Sequence, residues 1–461
     1  MAMNEGAPDV AVVNYNVFNR DGVYVVNILQ KARRFDLAER AIDYFLARPF
    51  NGRVYPEADN PGQVLWVVGQ HWVFTRDKEW LRRVYPSVRK LVELVRYYRT
   101  TPPPHYVRTD SLAFGGDLPK DDRWELKPGS CDGNHPEYTE AFDVAGLRAA
   151  AMLAEAMTEA AAPRGTGILA LRAVPPVGEQ GRDGPATHGR DAHATNCADA
   201  KAWRELAAEL FAQYDQRFGG KLPDGYGGYC VLWPCRLYDL GAGKAWEQFR
   251  SIGPQKPAGW RYFPLAKAHQ ALLAGNREAG CQTIRSHLDH PQMKGWYAFD
   301  EGGKSGGGGW KFARTTWDSS VAMPHGWAIA ELHLLLRDCL AFEDGGRLVL
   351  LGGIDPAWLD RPLRIENLPT WFGPLSLKWT PAPARAAGGS GAGAGSGAGA
   401  GPTAAELELG GAAPPDGFVL RLPAERKAKV TVDGKDVPPQ TGNDFAIPAG
   451  TKKAGVHWQG R

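Results

Sequence analysis

VVNILQKARRFDLAERAIDYFLA, residues 25–47, decides the fold. Apolar side chains recur at three- and four-residue spacing on both sides of a short polar stretch at 31–36. That is the pattern of two amphipathic helices joined by a tight turn. The motif repeats at once, with apolar periodicity over 62–74 and 80–98 around a second polar turn at 75–79. Asp36 and Asp77 stand where the returning helices begin, as N-cap or first-turn acids. Further helical stretches are predicted over 142–157, 202–218, 262–274 and 322–340.

Between the pairs the connections are long and rich in Gly, Pro and aromatic residues, at 50–61, 101–139, 222–234 and 290–324. Alternating short and long connections imply two unlike ends, with tight turns at one and elaborate, function-bearing loops at the other. Residues 163–196 have no periodicity and read as a disordered insertion between two helices. Beyond residue 340 the pattern changes to short alternating or apolar runs, at 347–351, 363–365, 375–379, 407–409, 418–422, 428–432 and 456–458. The chain is therefore expected to hold a helical domain over 1–342 and a small β-sandwich over 343–461. The Gly/Ala/Ser segment at 386–401 is a flexible linker by composition. Too few strands precede it to form a core alone, so it reads as a loop within one sandwich.

Composition narrows the partners. Lys and Arg number 54 against 51 Asp and Glu, a net charge of +3 in 461 residues. Such a balance gives no footing for nucleic acid or an anionic membrane. No apolar run approaches the roughly 20 residues that span a bilayer. The first residues also lack the charged-then-apolar pattern of a secretory signal, which favours a cytoplasmic location. The six cysteines are too scattered for a disulfide framework, and Cys230 and Cys235 lack a second pair at zinc spacing, so both read as structural thiols. Sixteen Trp, 15 Tyr and 17 Phe are enough to fill a core and still offer faces that stack on sugar rings.

Several segments, in order, resemble the six-hairpin glycosidases, the (α/α)6-barrel superfamily that contains glucoamylase, α-L-rhamnosidase and the disaccharide phosphorylases. The segment NRDGVY (19–24) resembles the Trp-x-Arg-Asp opening of an inner helix. PEADNPGQVLW (56–66) resembles the acid-x-Asp-x-x-Gly-Gln-x-Leu-Trp segment, and YTEAFDVAGL (138–147) the acid-bearing start of the next inner helix, here one residue shorter than in many relatives. WYAFDE (296–301), a Gly-rich loop and MPHGWA (323–328) resemble the last long loop and the helix it feeds. Relatives often show Trp-Pro-Glu in that loop, so Asp300 and Glu301 both stand in position for its acid. The likeness covers about residues 19–379 and implies a mainly α fold, an (α/α)6 toroid of helical hairpins. Because the chain starts almost at the first shared helix, the ring is expected to be one helix short of twelve.

The resemblance also implies an activity. Glycosidic cleavage takes an acid that protonates the leaving oxygen and a second carboxylate across the sugar, about 6.5–9.5 Å away when that group activates water. In glucoamylase-like relatives these roles would fall to Glu140 as acid and Glu301 as base, giving an inverting hydrolase of an oligo- or polysaccharide with neither metal nor organic cofactor. Arg20 and Asp21 resemble the pair that holds the hydroxyls of the terminal sugar. Glu57, Asp59 and Gln63 add a polar patch, Asp132 and Glu137 are reserve acids, and Trp66, Trp296 and His325 are candidates for the cleft wall. Two rivals remain at this stage. One is a carbohydrate-binding protein that keeps the ring without the acid pair. The other is a phosphorylase of the same fold, for which Lys304, Lys311 and Arg314 would supply phosphate-binding charge.

Overall fold

The computed structural model describes residues 3–4, 6–10, 17–49, 58, 60–108, 123–126, 136–159, 188–218, 225–302, 324–382 and 402–459. Among the described residues there are eleven α-helices: α1 (Asn19–Lys31), α2 (Phe35–Ala47), α3 (Asn60–Thr75), α4 (Lys78–Thr100), α5 (Pro136–Glu159), α6 (His188–Phe218), α7 (Gly243–Arg250), α8 (Tyr262–Leu273), α9 (Arg277–Leu288), α10 (Pro291–Trp296) and α11 (Gly326–Leu340). A 3-10 turn spans Gly225–Tyr229. None of the described helices is long and apolar enough to cross a membrane. Residues 188–196, expected in the insertion, form the start of α6, where Ala and polar residues sustain a helix without an apolar stripe. Unforeseen α9 carries a mid-helix glycine, Gly280, whose absent Cβ lets Cys339 and Leu272 pack against its backbone.

The quoted stretch forms α1 and α2. Asp77 caps α4 by accepting from Glu79 and Trp80 N–H, while Asp36 lies in the first turn of α2 beside Arg34. Successive contacts link α1 to α3, α3 to α5, α5 to the 3-10 turn, that turn to α8, α8 to α11, and α11 back to α1. Against these pack α2 on α1 and α3, α4 on α3 and α5, α6 on α5, and α9 on α8 and α11. Side-chain pairs set the directions. His325 at the start of α11 meets Asp21 at the start of α1, and Asp338 near the end of α11 meets Lys31 at the end of α1, so the two helices run parallel. Helices α3 and α5 touch backbone to backbone, where a Cβ on Gly146 would stand 2.5 Å from the Gly62 carbonyl oxygen. The interior is aromatic: Tyr24 stacks on Trp327 at 4.8 Å, and Tyr262 on the same ring at 4.2 Å.

From residue 341 the described residues are mostly strands, with one 3-10 turn at Pro356–Asp360. Ahead of them lie two short pairs, β1 (Met3–Asn4) with β2 (Ala7–Pro8) and β3 (His105–Arg108) with β4 (Arg123–Leu126). The C-terminal strands are β5 (Ala341–Asp344), β6 (Arg347–Leu350), β7 (Leu363–Thr370), β8 (Gly373–Pro381), β9 (Ala404–Gly410), β10 (Phe418–Arg421), β11 (Ala428–Val432), β12 (Lys435–Val437), β13 (Asp444–Ile447) and β14 (Lys453–Trp458). They form a four-stranded sheet, β13-β10-β6-β5, and a six-stranded one, β12-β11-β14-β9-β8-β7. Leu348, Leu420 and Phe445 from the first share one apolar core with Leu377, Trp379 and Val456 from the second. Strands β8 and β9 pair in antiparallel register from Ser376↔Gly410 to Pro381↔Ala405, on either side of the Gly/Ala/Ser segment, which itself lies outside the described residues.

Candidate active site

The starts of α1, α3, α5, α8 and α11 meet at one end of the helical region through a chain of side-chain contacts. Asp21 Oδ1 lies 3.0 Å from His325 Nε2, and the His325 ring lies 5.2 Å from Tyr262. Arg20 sits 5.8 Å over the Tyr226 ring, which meets Tyr138 edge-on at 4.9 Å. Gln63 Nε2 donates to the Tyr138 hydroxyl at 3.3 Å. Glu137 lies against the 3-10 turn, where a Cβ on Gly227 would stand 1.9 Å from Glu137 Cγ. Glycine at that point gives the acid its place. Arg20, Asp21, Gln63, Glu137 and His325 are thus brought together from segments hundreds of residues apart.

Of the two acids left open in the last loop, Asp300 is buried and occupied. It accepts from Arg261 Nε at 3.0 Å and Gln292 Nε2 at 2.9 Å. Glu301 is only half-buried, its carbonyl accepts from Arg261 N–H at 3.0 Å, and its carboxylate acts electrostatically on His325. Burial alone would lower the His325 pKa. The hydrogen bond to Asp21 and the charges of Glu301, Asp21 and Asp300 reverse this and hold the imidazole above its ordinary value. His325 also caps α11, its Nδ1 lying 3.3 Å from the Ala328 N–H. Nδ1 can accept there only while unprotonated, so a proton added to the ring strengthens the tie to Asp21 and weakens the cap.

Glu140 departs from expectation. Arg217 Nη1 donates to both of its oxygens at 2.6 and 2.7 Å, and Arg99 Nη1 lies at 3.5 Å. Both arginines sit at the C-terminal ends of helices packed outside α5, so Glu140 faces α4 and α6, whereas Tyr138 and Phe142 face the aromatic interior. One turn on, Asp143 is fully buried and its pKa is pushed up to about 6 by burial, with Arg99 and Tyr98 opposing. Glu140 is thus held between two arginines, and the reserve acid Glu137 is the one that lies against the 3-10 turn at the shared end.

The remaining residues divide by position. Trp66 is core, wedged edge-on against Phe142 at 6.0 Å and Trp233 at 6.4 Å. Trp296 closes α10, and its side chain is outside the described set. Glu57, Asp59, Asp132, Lys304, Lys311 and Arg314 also lie outside the described residues. Among the described residues no group of three or more His, Cys, Asp or Glu side chains could hold a metal ion. Sequence reasoning did not single out Tyr226 and Tyr262. The first lies in the long Gly-rich connection 222–234 and the second opens a periodic helix, so position alone marked both. No protein-family model and no curated protein matches this chain.

Proposed function

We propose that the chain is an inverting glycoside hydrolase of the six-hairpin kind, its helices forming an (α/α)6-like toroid with a β-sandwich behind it. The acid pair is Glu137 and Glu301, and Arg20 and Asp21 hold the hydroxyls of the sugar being released. One observation carries this reading: five helix starts converge on Arg20, Asp21, Glu137 and His325, with the half-buried Glu301 beside them. Two carboxylates on different segments of a common end, backed by aromatic rings, suit a division of labour in which one protonates the leaving oxygen and the other activates water. The closed cycle of helix contacts supports the toroid, and the N-terminal ends of those helices favour the negative groups placed there.

A second reading, a ring that binds sugar without cleaving it, draws on the arginine-bound state of Glu140. Turnover separates the two. The purified chain is screened against chromogenic glycosides and oligosaccharides, with E137Q and E301Q alongside, and product anomers are followed by NMR. Hydrolysis that both variants abolish is the expected result. Activity that survives in E301Q rejects Glu301 as the base, and no turnover on any glycoside rejects the hydrolase.

A further inference from the structure

Trp260 keeps 41% of its surface exposed although its backbone is firmly tied. It forms an antiparallel bridge with Gly302, and the neighbouring Arg261 N–H donates to the Glu301 carbonyl at 3.0 Å. A Cβ on Gly302, whose φ is +84°, would stand 2.0 Å from the Gly259 carbonyl oxygen, so this pairing is open only to glycine. The indole is therefore held across the bridge from the segment that bears Glu301. Inward from it, the Trp260 and Tyr262 rings lie 6.3 Å apart, and Tyr262 lies 5.2 Å from His325, which holds Asp21. Aromatic rings thus lead from the exposed Trp260 to the buried Asp21–His325 pair.

We propose that Trp260 is a sugar-stacking platform forming a subsite outside the candidate site at Asp21 and His325, so that the substrate is a chain of at least two sugar units. The inference rests on the carbohydrate reading above and deepens it. A large exposed aromatic beside a polar site is desolvated favourably by the C–H face of a pyranose ring. Because the backbone is already fixed, little ordering cost opposes that contact. A lone sugar seated at Asp21 cannot use it; the next unit along the chain can.

The test compares wild type with W260A and W260F on an aryl monosaccharide and on an oligosaccharide of three or more units. W260A should raise KM for the oligosaccharide about tenfold more than for the aryl monosaccharide, with kcat little changed. W260F, which keeps an aromatic face, should recover most of the loss. Equal effects on both substrates, or none, overturn the subsite while leaving the hydrolase intact. In parallel, E301Q and E301Q/W260A are titrated with malto-, cello-, xylo- and galacto-oligosaccharides by intrinsic fluorescence and calorimetry. Binding lost only in the double variant supports the subsite even if no glycoside is turned over, which would reject the hydrolase alone. Absence of binding to every oligosaccharide, or binding indifferent to Trp260, rejects the subsite.

Discussion

Helices α1 and α11 carry charge at both ends, and the two ends use it differently. Where they finish, Lys31 Nζ lies 3.0 Å from Asp338, Arg337 reaches Asp338 at 3.0 Å and Glu343 at 2.7 Å, and His269 bridges Glu331 at 2.8 Å and Asp338 at 3.1 Å. All of these side chains are buried, and Arg337 ties the helices to β5 through Glu343 and to β7 through the Pro369 carbonyl. Where the helices start, Asp21 and His325 pair beside loops, and Glu301 stays half-exposed. At the finishing end, charge is spent on internal partners, and its desolvation is offset only by close geometry. At the starting end, the Asp21–His325 pair lies next to loops, with Glu301 only partly buried beside it. The same two helices therefore supply a closed charged base at one end and, at the other, the face on which the proposed activity is placed.

The largest expected effect lies at the base. R337A leaves Asp338 and Glu343 buried without their shared cation and should cost about 3–5 kcal/mol, read as a shifted denaturant midpoint. A shift no larger than that of a surface variant would break the contrast. E301Q should instead leave the midpoint nearly unchanged while lowering kcat on the identified glycoside by about 100-fold or more. Equal losses of stability and activity would show that the starting end is also a structural cluster.

Acidity sharpens the comparison further. Burial tends to raise the Asp338 pKa, but Lys31, His269 and Arg337 outweigh it and hold the group far below the carboxylate range. Its contribution is present above the unfolded carboxylate value and is lost only as pH falls through the depressed folded one. His325 has the opposite sign. Its folded pKa is raised, so its ionic contribution is full below the unfolded value and disappears as pH rises through the folded one. The stability gap between wild type and H325Q should thus be wider at pH 5.5 than at pH 8.5, read as the difference in denaturant midpoints. A gap independent of pH would mean that the cap, and not the charge, dominates at His325. The smallest effect is expected from E140Q: Arg217 is half-exposed, so the loss should stay below about 1 kcal/mol, with kcat/KM within about twofold of wild type.

The helical pairs and most strands were legible because each depends on a local period, as at 25–47 and in the alternating run that became β8. Strands β5, β12 and β13 were not, being three or four residues long, too short to show a period; β5 and β12 close tight hairpins with β6 and β11, and β13 is fixed by β10, more than twenty residues back. The site was legible in part. Asp21, Glu301 and His325 could be named from their segments, but the Lys31–Asp338 pair spans 307 positions and leaves no trace in either neighbourhood. The direction in which Glu140 points had a readable sign. Tyr138 and Phe142 share an apolar stripe on α5, and a residue two positions past Tyr138 points away from it. Arg217, the partner that takes up Glu140, could not be foreseen, because nothing local announces which antiparallel helix ends beside it.

The register between β8 and β9 has a practical corollary. These strands hold one another by backbone bonds on both sides of residues 383–401, so the covalent link is not what aligns them. The polypeptide can be opened there to create new termini, or a reporter domain grafted in, with the sheet on either side left to reassemble the two pieces as complementing fragments.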